Sequence, residues 1–372
     1  MAERPKLKVL VASTSYPSAP GDWRGVFIRN MLDALAARPE LDVGSWCPPG
    51  PLAPGVRDAA TPSDARWLAG LSHDGGIAHA LRRLRPRGLL AAASLMRRLG
   101  ALYERERDID VLHANWLQVA LPLRRPGLPV LATVLGTDYR LLSIPGMTTA
   151  LRRVFRRRPT AICPNADWMV PGLQQRFGDI ATIRCIPFGI RGDYFACRRE
   201  PVSPPRWLCV TRITQAKIGD LFAWGEAWFR DGPRELHLFG PMQEPVALPD
   251  WVHYHGPATP EALSGSWFPQ ATGLVSLSRH PEGRPQVMLE AMAAGLPIIA
   301  SALPAHVDLL RPEASGAICR SPGELGTQLA ELEGQAGIEM GLRGREAARA
   351  RFGSWDDCAS RYVETYRALL GA

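Results

Sequence analysis

Short apolar segments alternate with longer amphipathic stretches along most of the chain. In the first half, the apolar segments 8–14, 110–116 and 129–138 are separated by stretches in which apolar residues recur with the 3.6-residue period of a helix. A second series begins at residues 207–213 and continues through later apolar segments up to residues 296–301. This rhythm predicts parallel sheets with helices on both faces, and therefore an α/β fold of doubly wound type.

The domain organisation follows from the length of the chain and from one change in its composition. At 372 residues the chain is long enough for two separate cores. Residues 197–205, CRREPVSPP, are rich in proline and charge, which is typical of a linker. We therefore predict a first domain at 1–196, a linker at 197–205 and a second domain at 206–351.

Composition excludes several classes of protein. Hydrophobic residues make up 46% of the chain and charged residues 22%, so disorder is not expected. No apolar run approaches the roughly 18 residues of a membrane-spanning helix, and the run at 9–12 is too short for a secretory signal. The seven cysteines are scattered without a CxxC pair, which argues against disulfides and zinc. A cytoplasmic protein is predicted.

The net charge of +8 favours an anionic partner such as a nucleotide, a phospholipid surface or nucleic acid. Segments 79–108 and 151–159 mix arginines with leucines at helical spacing. Two interpretations remain open for them: a surface that contacts an anionic membrane from the cytoplasmic side, or solvated helix faces whose arginine stems lie along the core. No recognition motif supports nucleic-acid binding, so we predict none.

Residues 280–301, HPEGRPQVMLEAMAAGLPIIAS, carry the strongest chemical signal. Pro285 and Gly295 predict a helix over 285–294 that is followed by a strand, with Glu282 before the helix and Glu290 inside it. Eight helical residues rise about 12 Å, which exceeds the roughly 5–9.5 Å between the acids of a glycosidase. The two acids suit the hydroxyls at opposite ends of a nucleoside diphosphate sugar, with Arg212 and Lys217 as cations for the diphosphate.

Three motifs resemble one enzyme family. EGRPQVMLEAMAAGLPIIAS (282–301) is similar to the E-x7-E segment of the retaining glycosyltransferases of the GT-B fold, family 4 type, also called glycosyl transferases group 1. TRITQAK (211–217) resembles the Arg-x4-Lys pair of that family, and GDWRGVFIRNMLDAL (21–35) resembles its glycine loop and first helix. The resemblance implies two Rossmann-like domains that face each other across a cleft, with a C-terminal helix at 354–372 that completes the first domain.

The resemblance also implies roles for particular residues. Arg212 and Lys217 would stabilise the departing diphosphate, Glu282 would orient the transferred hexose, and Glu290 would hold the ribose. The remaining donor-binding candidates are Gly25, Gly283, Arg284, Gln286 and Val287. No metal or other cofactor is implied, because the nucleotide sugar is itself a co-substrate. The implied activity moves a hexose to a glycan or a lipid-linked acceptor, in the synthesis of bacterial cell-surface polysaccharide or glycoconjugates.

Several positions depart from the family pattern or have two interpretations. Leu135 stands where the family has a histidine, and Phe188, Arg191 and Thr211 also differ from the usual residues. These departures motivate an alternative function, a catalytically impaired sugar-nucleotide-binding scaffold or partner subunit.

Three further side chains are candidates with a simpler alternative. His113 is an acceptor-side candidate, although a histidine at a strand end is more often just hydrogen bonded. Asp138 is either an acceptor-side group or a helix N-cap. His280 either lines the pocket or is an exposed loop residue.

Overall fold

The computed structural model describes residues 5–19, 21–73, 85–312 and 314–371. The chain forms two compact units. Unit 1 consists of Met1–Phe188 together with Trp355–Ala372, and unit 2 consists of Gly189–Ser354. Each unit contains a parallel β-sheet with helices packed against it, so the predicted fold class of two Rossmann-like α/β units is confirmed.

Unit 1 contains a seven-stranded parallel sheet in the order β3-β2-β1-β4-β5-β6-β7. The strands are β1 Leu7–Ala12, β2 Leu41–Trp46, β3 Arg57–Asp58, β4 Val111–Asn115, β5 Val130–Val134, β6 Thr160–Pro164 and β7 Thr182–Ile183. Strands β4, β5 and β6 are buried along their whole length, as expected for parallel strands covered on both faces. The strand order reverses between β1 and β4, which is the position where such sheets bind ligands.

In its described residues before Phe188, unit 1 has six helices and two short 3₁₀ helices. The helices are α1 Val26–Ala36, α2 Pro62–His73, α3 Arg85–Arg105, α4 Thr137–Leu141, α5 Met147–Phe155 and α6 Val170–Phe177, and the 3₁₀ turns are Leu117–Ala120 and Asp167–Met169. Helix α1 is amphipathic because Ile28, Met31, Leu32 and Leu35 face the sheet. Its apolar face therefore joins the core on one side of the sheet.

Unit 2 contains a six-stranded parallel sheet in the order β10-β9-β8-β11-β12-β13. The strands are β8 Arg206–Val210, β9 Glu235–Phe239, β10 Val252–Tyr254, β11 Gly273–Ser276, β12 Ile298–Ser301 and β13 Ala317–Cys319. The order reverses between β8 and β11, so the segments that follow these two strands meet at the carboxyl edge of the sheet.

The helices of unit 2 are mostly short and lie on both faces of its sheet. They are α7 Gly192–Ala196, α8 Gln215–Ile218, α9 Leu221–Phe229, α10 Pro260–Ala262, α11 Phe268–Gln270, α12 Gln286–Ala294, α13 Pro304–Leu310, α14 Pro322–Leu332 and α15 Gln335–Ala347, with π-helical turns at Leu263–Trp267 and Ala348–Phe352. The last helix of the chain, α16 Trp355–Leu370, is part of unit 1. Its Cys358, Tyr362 and Tyr366 are buried there.

Helix α12 has the boundaries that the sequence predicts to within one residue. Pro285 occupies the N-cap with extended backbone, and Gly295 ends the helix at φ 77°. That left-handed conformation suits glycine because it lacks a Cβ. Met288, Leu289 and Met292 are buried in the core of unit 2, which anchors the helix against the sheet. The predicted helix over 285–294 is confirmed.

The division between the units lies earlier than the linker predicted at 197–205. The structure divides the chain between Phe188 and Gly189, so the proline-rich segment belongs to unit 2. Arg199 explains this, because its guanidinium donates to the carbonyl oxygens of Gly295 (2.9 Å), Ala271 (2.8 Å) and Thr272 (2.8 Å). Composition alone does not reveal such an anchor.

The two segments rich in arginine and leucine are largely explained by packing in unit 1. Residues 79–84 of the segment 79–108 lie outside the described residues, and the rest falls mainly on α3. The apolar residues that α3 and α5 bury are Leu95, Leu99, Leu102, Leu151 and Phe155. Leu89 and Leu90 of α3 are each 70% exposed. Among the described residues, no helix is both long and apolar enough to cross a bilayer.

Candidate active site at the carboxyl edge of the unit 2 sheet

The first part of the site is the short helix α8, which follows β8. The Thr214 hydroxyl caps this helix by accepting a hydrogen bond from the backbone N–H of Lys217 (3.1 Å). At its other end, Gly219 has a φ of 57°, and a Cβ there would stand 2.1 Å from the carbonyl oxygen of Leu277. Glycine therefore allows α8 to press against the chain that leaves β11, and the N–H of Arg279 donates to the carbonyl oxygen of Ala216 (2.8 Å).

This contact brings together two charged residues that are 65 positions apart in sequence. The Lys217 ammonium donates a short hydrogen bond to Oε1 of Glu282, and the two side chains are 11% and 16% exposed. Burial lowers the pKa of Lys217, while Glu282 opposes that shift and Arg212 adds to it. The ammonium therefore lies between an acid and a second cation, a charge distribution that suits an anionic ligand.

Arg212 lies at the same edge of the sheet, two residues beyond the end of β8. Its Nη1 donates to Oε1 of Gln243 at 3.2 Å, and its charge acts on Lys217. Gly240 packs closely against Thr211, the residue before Arg212. A Cβ added at position 240 would lie 1.7 Å from the Thr211 carbonyl oxygen. Arg212, Lys217 and Glu282 therefore share this edge of the sheet, and their predicted roles toward a donor stay predictions.

Glu290 occupies a different environment further along α12. It is half-buried, and desolvation raises the pKa of its carboxyl to about 8, while Tyr194 and Arg191 oppose that shift. Arg191 is itself paired with Asp193 (2.9 Å) and Glu261 (2.6 Å). Glu282 and Glu290 therefore have separate neighbours, in keeping with the prediction that they contact different parts of one ligand.

The side chains of three predicted donor-binding residues are used in packing unit 2. Arg284 is 2% exposed, donates to Oδ2 of Asp308 (2.9 Å) and stacks over the ring of Phe352. Gln286 donates to the carbonyl oxygen of Gly189 (2.9 Å), and Val287 packs against the core. Gly283 is buried beside them. Because these side chains are used in packing, a ligand here would contact the backbone N–H groups of this segment.

Gly25 has a clear local role in unit 1. It is the N-cap of α1 with φ 69°, and a Cβ there would lie 2.7 Å from both the Ser15 hydroxyl and the Tyr16 nitrogen. Glycine is needed because of the left-handed backbone and the close approach of this turn. Its predicted contact with the donor stays a prediction.

His113, predicted as an acceptor-side candidate, lies in the interior of unit 1. Its Nδ1 is 2.6 Å from the Tyr366 hydroxyl and its Nε2 is 2.7 Å from the Thr133 hydroxyl. Burial lowers the pKa of His113 to about 3, so the ring is neutral. The structure favours the simpler interpretation of a hydrogen-bonded sheet histidine, because a strand covered on both faces gives its side chain no route to solvent.

Asp138 is also buried in unit 1, but it is not the N-cap of its helix. Gly136 holds that position, and the Asp138 carboxylate accepts hydrogen bonds from the backbone N–H groups of Leu135 (2.9 Å) and Leu117 (3.1 Å). Burial raises its pKa to about 6, and these bonds oppose the shift. The N-cap interpretation is wrong. Asp138 instead joins the ends of β4 and β5, the edge where an acceptor would be expected to bind.

His306 is a polar residue that the sequence analysis does not identify. It is fully buried near the start of α13, and Glu282 and Lys217 both act on its charge. Its position five residues after the end of β12 is the only sequence signal that points to it. His280, which the sequence leaves open, is half-buried, and its N–H donates to the Ser278 hydroxyl (3.0 Å).

The family comparison matches the part of the chain that contains this site. Residues 211–334 match the family model described as glycosyl transferases group 1, and they include Arg212, Lys217, Glu282 and Glu290. The matched residues lie within unit 2. The resemblance to this family that the sequence motifs indicate is therefore confirmed. A comparison with curated protein sequences finds no significant match.

Solved structures of glycosyltransferases share the fold over nearly the whole chain. Sucrose-phosphate synthase from Thermosynechococcus elongatus has a TM-score of 0.71 at 18% identity, covering 98% of this chain and 100% of that one. Trehalose 6-phosphate synthase from Burkholderia multivorans has a TM-score of 0.64 at 10% identity, with 99% of each chain covered. Anabaena HepE, solved with UDP and glucose, has a TM-score of 0.59 at 15% identity, covering 96% and 99%. These likenesses show that the chain has the GT-B fold.

Proposed function

We propose that this glycosyltransferase is a retaining hexosyltransferase of the family 4 type. It takes a hexose from a nucleoside diphosphate sugar and transfers it to a glycan or a lipid-linked acceptor, in bacterial cell-surface polysaccharide or glycoconjugate synthesis. The observation that carries the proposal is the pairing of Lys217 with Glu282 beside Arg212 at the carboxyl edge of the unit 2 sheet. The Anabaena protein of the same fold is described with UDP and glucose, which supports a nucleotide sugar as the donor.

The charges suggest how the donor is held. Arg212 offers a planar fork to two phosphate oxygens and Lys217 a point charge, so both stabilise the diphosphate as its bond to the sugar breaks. The Lys217 ammonium is paired with Glu282 in the free protein. On donor binding it exchanges that partner for a phosphate oxygen, and Glu282 accepts hydrogen bonds from hexose hydroxyls instead. The acceptor oxygen then bonds to the anomeric carbon on the face that the diphosphate leaves, and the proton of the acceptor hydroxyl passes to the departing diphosphate.

Glu290 is assigned to the ribose hydroxyls. Because desolvation raises its pKa to about 8, its carboxyl both donates and accepts hydrogen bonds near neutral pH, as a vicinal diol requires. Backbone N–H groups of Gly283, Gln286 and Val287 complete the donor site in this proposal, since helix N-termini favour phosphate. The protein's own cations neutralise the leaving group, so no metal is required.

The proposal is tested by incubating the purified protein with UDP-, GDP- and ADP-sugars and measuring transfer or hydrolysis. We expect one donor to be turned over, with the anomeric configuration retained by NMR and the rate unchanged by EDTA. Glu290→Ala should abolish turnover, whereas Glu331→Ala on the exposed face of α14 should not. Unchanged turnover by Glu290→Ala would contradict the assigned donor site.

One residue, Leu135, favours the alternative function of a catalytically impaired sugar-nucleotide-binding scaffold or partner subunit. Leu135 follows β5, where the family pattern has a histidine, and its side chain packs against the core of unit 1. Calorimetric binding of a nucleotide sugar without turnover across a panel of glycan and lipid-linked acceptors would support this alternative. Transfer to any acceptor would exclude it.

We assign acceptor recognition to unit 1 and include peripheral contact with anionic lipid, at the inner face of the membrane, in the proposal. Arg153, Arg156 and Arg157 are exposed at the end of α5, and Leu89 and Leu90 are exposed on α3. Co-sedimentation with vesicles tests this contact. Binding to phosphatidylglycerol vesicles should fall with salt and with Arg153→Gln/Arg156→Gln, and equal binding to phosphatidylcholine vesicles would contradict it.

A further inference from the structure

His306 presents a buried nitrogen that has no hydrogen-bond partner among the described residues. This atom is Nε2, and the residue is fully buried. The other ring nitrogen is held in place, since Nδ1 lies 3.0 Å from the carbonyl oxygen of Ser301 and 3.3 Å from its hydroxyl. A carbonyl oxygen only accepts hydrogen bonds, so Nδ1 carries the proton. Nε2 of the neutral ring is therefore a bare acceptor.

A chain of serine contacts fixes the position of this ring relative to the active site. The Ser301 hydroxyl donates to the carbonyl oxygen of Ser278 (2.6 Å), and the Ser278 hydroxyl donates to that of Ala216 (3.4 Å), the residue before Lys217. The ends of β12, β11 and α8 are thereby joined. Burial lowers the pKa of His306, while the charge of Glu282 opposes that shift and the charge of Lys217 adds to it.

An acceptor in this position is costly unless something donates to it. Buried polar atoms are nearly always hydrogen bonded, and those left over need an explanation. The Lys217 ammonium, whose charge acts on His306, donates its hydrogen bond to Glu282. A nucleotide sugar would bring hydroxyl donors to the same place, because Glu282 is the residue assigned to the hexose.

We propose that His306 Nε2 accepts a hydrogen bond from a hydroxyl of the transferred hexose, adjacent to the hydroxyl that Glu282 binds. This inference rests on the proposed function and deepens it. His306 and Glu282 together read two neighbouring hydroxyls of a pyranose. The donor class is thereby restricted to nucleoside diphosphate hexoses with a free hydroxyl at the position that His306 contacts, and sugars that are deoxygenated or O-methylated there bind poorly.

Two substitutions of His306 distinguish the role of Nδ1 from that of Nε2. His306→Asn places an amide N–H near the position of Nδ1, so it keeps the bond to the Ser301 carbonyl and removes the acceptor at Nε2. His306→Gln reaches the position of Nε2 with an amide oxygen and gives up the bond to Ser301. Thermal melting of both variants reports the structural role, and donor binding reports the proposed one.

The decisive experiment uses donor analogues in which one hexose hydroxyl at a time is replaced by fluorine, which cannot donate a hydrogen bond. Calorimetry should show that the wild type binds one analogue about tenfold more weakly than the parent donor. His306→Asn should bind that analogue and the parent about equally, while His306→Gln should keep the preference. A preference that His306→Asn retains in full would overturn the inference.

A measurement on the unmodified protein covers the case in which the variants do not fold. With ¹⁵N-labelled histidine, NMR should show His306 protonated at Nδ1, and its Nε2 signal should move upfield when the donor is added. An Nε2 signal that the donor does not shift would overturn the inference. If the wild type binds no nucleotide sugar, the proposed function itself fails, whereas binding without discrimination among the analogues overturns only the role of His306.

Discussion

Each unit buries a histidine, His113 in the middle of β4 and His306 five residues beyond β12, and the two residues differ in whether their hydrogen bonds are complete. In unit 1, both ring nitrogens of His113 have hydroxyl partners, from Tyr366 and Thr133. In unit 2, His306 is held by Ser301 on one side only, and its Nε2 has no partner in the described part of the chain. A complete set of partners indicates a structural role, and an incomplete one beside charged groups indicates a ligand.

The charged residues of the two units show the same contrast. Asp138 in unit 1 is buried and bonded to two backbone N–H groups, so it stabilises the ends of two strands. Lys217 and Glu282 in unit 2 remain partly exposed and bond to each other. The net contribution of a largely buried ion pair to stability is small, because the desolvation of both charges offsets their attraction. Its partners are therefore available for exchange with a ligand, which is what the proposed donor site requires.

The largest expected effect comes from breaking the charged pair in unit 2. Lys217→Met removes a cation aimed at the leaving diphosphate, and we expect turnover to fall about 10²- to 10³-fold, the usual loss for one electrostatic group at a transition state. Steady-state kinetics with the preferred nucleotide sugar measures this. The exposed Lys6→Met is the matched control and should keep wild-type turnover. Equal rates for the two variants would show that Lys217 does not act on the leaving group.

The next largest effect tests the structural role of His113 in unit 1. His113→Phe leaves the buried hydroxyls of Tyr366 and Thr133 without their partner, so we expect a loss of about 2–4 kcal/mol in the free energy of unfolding. Donor affinity should not change. Urea denaturation and calorimetry measure the two quantities, and His253→Phe on the exposed edge strand β10 is the control. If His113→Phe were as stable as the wild type but bound the donor more weakly, His113 would have a ligand-binding role and not a structural one.

A third prediction concerns the contact that assembles the site. Gly219→Ala places a Cβ against the Leu277 carbonyl in a left-handed backbone, so α8 must shift. We expect a loss of about 1–3 kcal/mol in stability together with weaker donor binding. Gly323→Ala is the control, because open space surrounds that position in α14. If Gly219→Ala and Gly323→Ala had the same melting temperature and the same donor affinity, the packing of α8 against the chain after β11 would not position Lys217.

The smallest effect is a pH dependence that arises from Glu290. Its pKa is raised from 4.5 to about 8 in the folded protein, so the folded state binds the proton more tightly than the unfolded chain does. The wild type therefore loses stability as the pH rises from 4.5 to 8, by at most about 1.4 kcal/mol per pH unit. Glu290→Gln cannot ionise, so its stability relative to the wild type should increase by about 1 kcal/mol between about pH 6.5 and pH 7.5.

Thermal or urea unfolding at several pH values checks this prediction. Glu331→Gln, at an exposed position of α14, provides the control and should follow the wild type across the range. Parallel curves for the wild type and Glu290→Gln would mean that Glu290 titrates normally in the folded protein.

Local patterns in the sequence were sufficient to predict α12 and the two sheets. The helix begins after a proline and ends at a left-handed glycine, and both signals act over a few residues. The strands of both sheets are short and buried, so they appear as apolar runs between turn residues.

Other predictions depended on contacts between distant segments, and sequence could not supply them. Arg284 is itself a predicted donor-binding residue, yet its side chain pairs with Asp308 and stacks on Phe352. Residues 197–205 resemble a linker, yet Arg199 ties them to three carbonyl groups of unit 2. Both outcomes depend on which buried polar groups still need a partner once the elements have packed.

The sequence by itself therefore determined the fold class, the limits of α12 and the chemical character of the site, because periodicity, caps and charge are encoded locally. Only the tertiary structure decided that Lys217 meets Glu282, that His113 is fully bonded and that His306 is not. Such pairings depend on the packing of segments that are far apart in the chain. The same residue types therefore become structural in one unit and available to a ligand in the other.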